Sequence, residues 1–262
     1  MEIIVTAKHV LDPNIPPTHF TVDEATNRVL APPGIPPLMN GYDANALEEA
    51  LRLKEKHGGK VTVIGLGDDS ARETLKRAIA MGADSAILIN DSAFLDGDSF
   101  ATARALTAAI NKIGSFDLIL CGRQASDTDA GQVLFGIAES LQLPVVSPAK
   151  RIEHSDDGIL IVDQIAEDGT QRVSVQLPAV IGVSSEMNEP RYPPMRGIMA
   201  ANRAQIPTWN ASDLGVEAIA NKVELRRLYM ELREARVELV EGETPAEVGV
   251  RLAEKLKEVG LV

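Results

Sequence analysis

The sequence predicts an α/β protein: a doubly wound, mostly parallel sheet with an added β-hairpin and a C-terminal arm. Three observations predict it. Short, continuous apolar runs recur through the first half of the chain, as strands buried on both faces require. Segments of helical periodicity separate these runs, and each stops at a Gly or a Pro. Beyond Pro144 the period changes to alternating apolar and polar residues, which suits a hairpin with one exposed face.

The elements follow in order. Ile3-Ile4-Val5-Thr6-Ala7 is the first strand, followed by Val61-Thr62-Val63-Ile64-Gly65, Ala86-Ile87-Leu88-Ile89 and Asp117-Leu118-Ile119-Leu120-Cys121. Between and after them lie four helical stripes. Ala46, Leu47, Ala50, Leu51 and Leu53 end at His57-Gly58-Gly59, and Ala71, Leu75, Ala78 and Ile79 end at Gly82. Ala101, Ala105, Leu106, Ala109 and Ile110 end at Gly114, and Val133, Ile137, Ala138 and Leu141 are stopped by Pro144. Strict alternation of strand and helix is the pattern of a doubly wound domain.

The connection 12–38 holds Pro13, Pro16, Pro17, Pro32, Pro33, Pro36 and Pro37, which excludes a regular central element. So long a connection inside a compact domain is usually functional or an interface arm. Ile159 to Ile165 and Arg172 to Gln176 alternate around Glu167-Asp168-Gly169-Thr170 and predict a hairpin. Ala179-Val180-Ile181-Gly182-Val183 then returns to the sheet. A short helix-prone piece spans Gly197 to Arg203, and Thr244-Pro245-Ala246-Glu247 opens a last helix with an N-cap, a first-position Pro and an acidic first turn.

Composition narrows the function classes. The 262 residues are 45% apolar and only 3% aromatic, so the core is built of Ala, Val, Leu and Ile. A net charge of −12 argues against nucleic acid as a partner. Cys121 is the only cysteine, which rules out an internal disulfide and a CxxC-type site. Met1 to Val10 resembles neither a signal nor a transit peptide. No stretch approaches the roughly 20 apolar residues of a membrane helix, and a cytoplasmic location is expected.

Chemistry concentrates in Gly122-Arg123-Gln124-Ala125-Ser126-Asp127-Thr128-Asp129-Ala130-Gly131-Gln132-Val133, just past the carboxyl end of the fourth strand. Ligands bind at that rim of a doubly wound sheet. Gly122 is expected to let a ligand approach the backbone, and Arg123 offers a charged fork suited to phosphate. The following helix start supplies amides and a positive dipole end, with Ala130 and Gly131 leaving room for a phosphate. The plainer alternative is that Asp127 or Thr128 caps that helix and Gly122 is a turn residue. There is no GxGxxG after the first strand and no GxxxxGK[ST] anywhere. His9, His19, His57 and His154 are dispersed along the chain without metal-ligand spacing, and no nucleophile motif is present. The chain is expected to be a binder or carrier and not an enzyme in its own right.

The run Cys121 to Asp129, with Gln132 following, resembles the nucleotide loop of the electron transfer flavoprotein beta subunit family, G-[KR]-Q-A-x-D-x-D-x-x-Q. Asn40-Gly41-Tyr42-Asp43 is similar to that family's N-P-[FY] segment, with Gly41 in place of the usual Pro. Ala80-Met81-Gly82-Ala83-Asp84 matches its A-M-G-A-D element. Asn188-Glu189-Pro190-Arg191-Tyr192, followed by Ile198-Met199, resembles its partner-recognition loop. Gln164 stands where the family's hairpin carries a basic residue, and Met195, Ala200, Ala201 and Asn202 stand where Leu and then Lys residues are known.

The resemblance implies a Rossmann-like, adenine-nucleotide-binding domain over residues 1–185, including the Pro-rich loop 12–38 and a hairpin at about 151–177. Residues 186–262 would be the recognition loop and the C-terminal arm. It implies a heterodimer with an alpha subunit that holds most of the FAD. The nucleotide would touch Thr6, Asn40, Gly41, Tyr42, Asp43, Leu66 and the loop from Gly122 to Val133. That nucleotide is AMP in some members and a second FAD, reduced by NADH, in flavin-bifurcating ones. Arg123 and the Asn40-x-Tyr42-Asp43 form look closer to the second type, whereas Leu134 stands where a Gly is common; AMP is the expectation taken. Arg191, Tyr192, Met195, Ile198 and Met199 would dock partners: an acyl-CoA dehydrogenase-type donor, as in fatty acid oxidation, and a quinone oxidoreductase or similar acceptor. The acidic charge is compatible with basic patches on such a dehydrogenase. A stand-alone ATP-binding stress-type protein is the reading from another class, although its Gly-rich loop is missing. An ATP-pyrophosphatase is remoter, because Lys8-His9-Val10-Leu11-Asp12 stands where its Ser-Gly-Gly-x-Asp-Ser loop belongs.

Overall fold

The computed structural model describes residues 1–154, 158–217, 219–230 and 237–262, and of Pro17 the backbone alone. Parts of the expected hairpin (155–157) and of the expected arm (218 and 231–236) therefore lie outside the described residues. The described chain forms two compact units, Met1–Leu228 and Tyr229–Val262.

The first unit begins with β1 (Glu2–Thr6), β2 (His9–Val10), β3 (Thr21–Asp23), β4 (Arg28–Leu30), β5 (Leu38–Met39), α1 (Gly41–His57), β6 (Lys60–Leu66) and α2 (Arg72–Met81). It continues through β7 (Ser85–Ile89), α3 (Ser99–Ile113), β8 (Leu118–Gly122), α4 (Val133–Leu141), β9 (Val145–His154), β10 (Ile159–Ala166) and β11 (Gly169–Gln176). β12 (Ala179–Val183), α5 (Met195–Ala201), β13 (Thr208–Trp209) and α6 (Ala211–Leu214) complete it.

Nine strands make one sheet in the order β11-β10-β9-β12-β8-β1-β6-β7-β13. From β9 to β13 every neighbouring pair is parallel; β10 and β11 add the antiparallel hairpin at one edge. The apolar runs of the sequence have become strands sandwiched between two helical layers. Alternate residues of β1 divide between them: Ile3 and Val5 join Leu47, Leu51 and Leu75 of α1 and α2 on one face, while Ile4 joins Leu106, Ile110 and Ile137 of α3 and α4 on the other. This arrangement is doubly wound, as predicted. All five residues of β8 and of β12 are buried, which explains why their sequences read as unbroken apolar runs.

The helix stops are local chemistry. α1, α2 and α3 end at Gly58, Gly82 and Gly114, all at positive φ. α4 differs: the left-handed residue closing it is Gln142 (φ 55°), two positions before the expected Pro144 stop. The Pro-rich connection contains no central strand. β2 and β5 pair across its ends through His9↔Met39 and Val10↔Leu38, and β3 and β4 form a small hairpin of their own. The long hairpin turns at Glu167-Asp168, with registers from Ile159↔Gln176 to Ala166↔Gly169.

In the second unit α7 (Pro245–Glu258) is capped as the sequence predicts. The Thr244 hydroxyl accepts the Glu247 amide at 3.3 Å, and Pro245 fills the first helical position, where no amide donor is needed. Among the described residues no helix is long and apolar enough to cross a membrane.

Candidate functional site

Parallel strands align their carboxyl ends, so Thr6, Leu66 and Gly122 close β1, β6 and β8 on the same rim of the sheet. At this rim α1 begins. Its N-cap residue, Asn40, is fully buried and reaches away from its own helix to the β8–α4 loop. Asn40 Nδ2 donates to the Gln124 carbonyl at 2.9 Å, and Asn40 Oδ1 accepts the Ser126 amide at 3.1 Å.

Asp43, one turn later, joins three segments. Its carboxylate accepts the Lys8 amide at 2.8 Å and the Gly122 amide at 3.0 Å. Burial pushes the Asp43 carboxyl up to about 6, against the opposing pull of those amides, Asn40 and the Lys8 charge. Beside it Cys121 is buried, and burial pushes its thiol up to about 12 despite a hydrogen bond with Thr6. Such a thiol is inert.

The loop 123–132 is ten residues long because α4 starts only at Val133, with Gln132 at its N-cap. Asp127 and Thr128 therefore do not cap the helix. The Thr128 and Asp129 amides instead donate to the Ala125 carbonyl, folding the loop into a turn, with Asp129 in the left-handed region at φ 49°. The carboxylates that would repel an anion are engaged: Asp127 pairs with Lys8 at 2.6 Å, and Asp129 accepts Gln124 Nε2 at 2.8 Å. Arg123 stacks over the Tyr42 ring, 5.5 Å from its centroid, and its Nε donates to Gln124 Oε1 at 3.1 Å.

One expectation changes in kind. Gly122 was expected to let a ligand approach the backbone; its missing side chain makes room for α1 instead. A Cβ there would overlap Asp43 Oδ1 and lie 2.8 Å from Tyr42 Cβ.

Whether an adenine nucleotide suits these residues can be tested on the loop itself. Ser126 Oγ is buried without a hydrogen-bond partner, a cost that a ligand acceptor would remove. Asp127, Thr128, Asp129, Ala130 and Gln132 are exposed, so the turn is not packed solid against side chains. Gln132 makes no side-chain cap to α4, leaving the positive end of that helix available to phosphate. The residues fit the group.

The recognition-loop residues separate into two sets. Tyr192 is 83% exposed, Met195 73% and Met199 53%, and Ile198 is also exposed. Arg191 faces the other way, into Glu48 and Glu55 of α1.

Sequence reasoning missed Lys8 and Val183. Lys8 holds Asp127 and gives its amide to Asp43, and the Val183 carbonyl accepts the Arg123 amide at 2.9 Å. Both lie within two residues of a strand's carboxyl end, which is the signal that finds them. The histidines, dispersed in sequence, are partly gathered: the rings of His57 and His154 meet edge to face at 4.8 Å. Among the described residues no group of three or more His, Cys, Asp or Glu side chains could hold a metal ion.

Comparison with known proteins finds relatives in one family. The family model described as "Electron transfer flavoprotein domain" matches residues 29–214. An electron transfer flavoprotein subunit beta from Thermoanaerobacterium thermosaccharolyticum is 43% identical over 218 residues, 83% of this chain and 81% of its own. Subunit CarD of the caffeyl-CoA reductase-Etf complex of Acetobacterium woodii is 38% identical over 268 residues, spanning both chains completely. Protein FixA of Azorhizobium caulinodans is 36% identical over 226 residues, 84% of this chain and 79% of its own.

Proposed function

The chain belongs to the electron transfer flavoprotein family, as a beta subunit, and on that premise we propose that it holds AMP at the β8–α4 loop. With an alpha subunit it would carry electrons from an acyl-CoA dehydrogenase-type donor to a quinone oxidoreductase or similar acceptor. The observation that carries the nucleotide assignment is the buried, unpartnered Ser126 Oγ within a turn where Asp127, Thr128, Asp129, Ala130 and Gln132 are exposed.

Each residue has a distinct task in this proposal. Asn40 and Asp43 hold the loop against α1 without using its outward surface. Ser126 Oγ, Arg123 and the α4 amides are the donors for phosphate. Tyr42 and Thr6 form the adjoining rim. FAD, held mainly by the alpha subunit, supplies one- and two-electron chemistry when bound. This subunit shields one side of that flavin and presents Tyr192, Met195, Ile198 and Met199 to partners. Family membership removes the support for a stand-alone ATP-binding protein.

A second reading follows from the whole-length match to a subunit of a caffeyl-CoA reductase complex: the same loop holds a second FAD, and the heterodimer works within a larger assembly with a CoA-ester reductase. Co-purification with the alpha subunit, followed by release and identification of the cofactors, separates the two. One FAD with one AMP supports the first, two FAD the second, and an adenine-nucleotide-free beta subunit overturns both.

A further inference from the structure

Tyr192 and Met195 of the segment 188–199 are the two most exposed large apolar side chains among the described residues of the first unit, yet the segment's backbone is fastened at both ends. At the first end the hydrogen bonds of Asn188 and Arg191 run to Asn45, Glu48, Glu49 and Glu55 of α1. Asn188 exchanges hydrogen bonds with Asn45: Asn45 Nδ2 donates to the Asn188 carbonyl at 2.6 Å, and Asn188 Nδ2 donates to the Asn45 carbonyl at 3.1 Å. Asn188 Nδ2 also donates to buried Glu49 at 3.1 Å.

Arg191 completes this end. Its Nε donates to Glu48 Oε2 at 2.7 Å, its backbone amide to the same oxygen at 3.1 Å, and its Nη2 to Glu48 Oε1 and Glu55 Oε2, both at 3.2 Å. The Glu48 side chain is only 4% exposed, and Arg52 supplies a second guanidinium. A carboxylate so far from water is stabilised by paired cations, and the planar fork of the guanidinium lets Arg191 bond Glu48 and Glu55 in one fixed geometry.

The second fastening uses absence of a side chain. α5 crosses the end of α2 so closely that a Cβ on Gly197 would overlap the Ala80 carbonyl oxygen and lie 3.0 Å from the Ala80 carbonyl carbon. Only glycine permits this approach. Between the two fastenings Tyr192 is 83% exposed and Met195 73%, with Met199 following at 53%.

We infer that Arg191 and Gly197 are positioning residues: Arg191 holds the loop to α1, Gly197 seats α5 on α2, and the surface of Tyr192, Met195 and Met199 is presented in one pose before a partner arrives. The inference rests on the docking role proposed above for that surface. It removes Arg191 from the set that touches partners. It also assigns the charged residues of the motif to anchoring and the apolar ones to recognition. Ordering the loop in advance spares docking the entropy of immobilising it, which improves affinity without adding contacts.

The test uses the heterodimer with its alpha subunit. Arg191→Ala is combined with Glu48→Gln, so that no buried charge is left unpaired, and Gly197→Ala is made separately. Backbone amides of 187–201 should exchange with deuterium about tenfold faster in either variant, with those of α3 unchanged. With an acyl-CoA dehydrogenase and its acyl-CoA as the electron donor, KM for the dehydrogenase should rise about tenfold while kcat stays within about twofold. FAD content should equal that of the wild type, and Arg191→Lys should recover only part of the loss. Unchanged exchange over 187–201 in both variants overturns the inference, as does looser exchange with an unchanged KM. Failure of the wild-type heterodimer to accept electrons from any dehydrogenase would instead overturn the proposed function, and the exchange data would still decide the anchoring.

Discussion

Gly122 and Asp43 pack together without room for a methyl group: the Gly122 amide donates to Asp43 Oδ1 at 3.0 Å, and a Cβ on Gly122 would overlap that same oxygen. The contact joins the carboxyl end of β8 to the first turn of α1, and the β8–α4 loop starts at the next residue.

Gly122→Ala should therefore force α1 away from β8. Overpacking of this kind costs about 1–3 kcal/mol, and here it falls on the Asp43 contact that positions the loop. Urea unfolding should show the loss of stability, and extraction should show less bound nucleotide. Wild-type nucleotide content in a destabilised variant would mean that the loop does not depend on this contact.

Asp43 should also give stability a pH dependence of defined sign. Burial raises its carboxyl from 3.8 in water to about 6, so between those values the folded chain holds a proton that the unfolded chain has lost. Its contribution is fully present below 3.8 and is lost as pH rises through about 6, a change of about 3 kcal/mol. Urea titrations across this window should show the advantage of wild type over Asp43→Asn shrinking by that amount. Glu49, whose carboxyl burial also raises, is common to both proteins and cancels. A constant difference would contradict the assignment.

The left-handed backbone at Asp129 (φ 49°) makes a third prediction. Asp129→Val places a β-branched residue there at a cost of about 1–2 kcal/mol and removes the acceptor of Gln124. AMP, or a second FAD, should be released from the purified heterodimer. Asp129→Asn tolerates the same conformation and keeps an acceptor, so it should retain the nucleotide.

Met195, 73% exposed, should act as an apolar anchor. Met195→Ala should raise KM for the dehydrogenase by about tenfold, the loss of one well-placed interface side chain, with FAD content unchanged. Normal reduction kinetics in that variant would remove Met195 from the docking surface.

The strands and helices were legible because each is specified by residues close together in the chain. Ile3 and Val5 against Ile4 already show a strand covered on both faces, and Thr244-Pro245 already shows where α7 starts. The rim was legible as a place, because the Gly122–Val133 run follows a strand end. Its internal wiring was not. Nothing near Asp43 indicates that its carboxylate meets an amide 79 positions away, and nothing near Glu48 indicates a guanidinium 143 positions away.

By itself the sequence determined the α/β alternation, the hairpin, three of the four helix stops and the place of the 123–132 loop at the rim of the sheet, since periodicity and turn chemistry act over a few residues. The tertiary structure alone decided that Gly122 makes room for a helix, that Lys8 neutralises Asp127 and that Arg191 faces inward. Those outcomes depend on which strands lie side by side in a sheet ordered β12-β8-β1-β6. Parallel crossovers bring distant segments to one rim, where close packing and the cost of an unpaired buried charge select their partners.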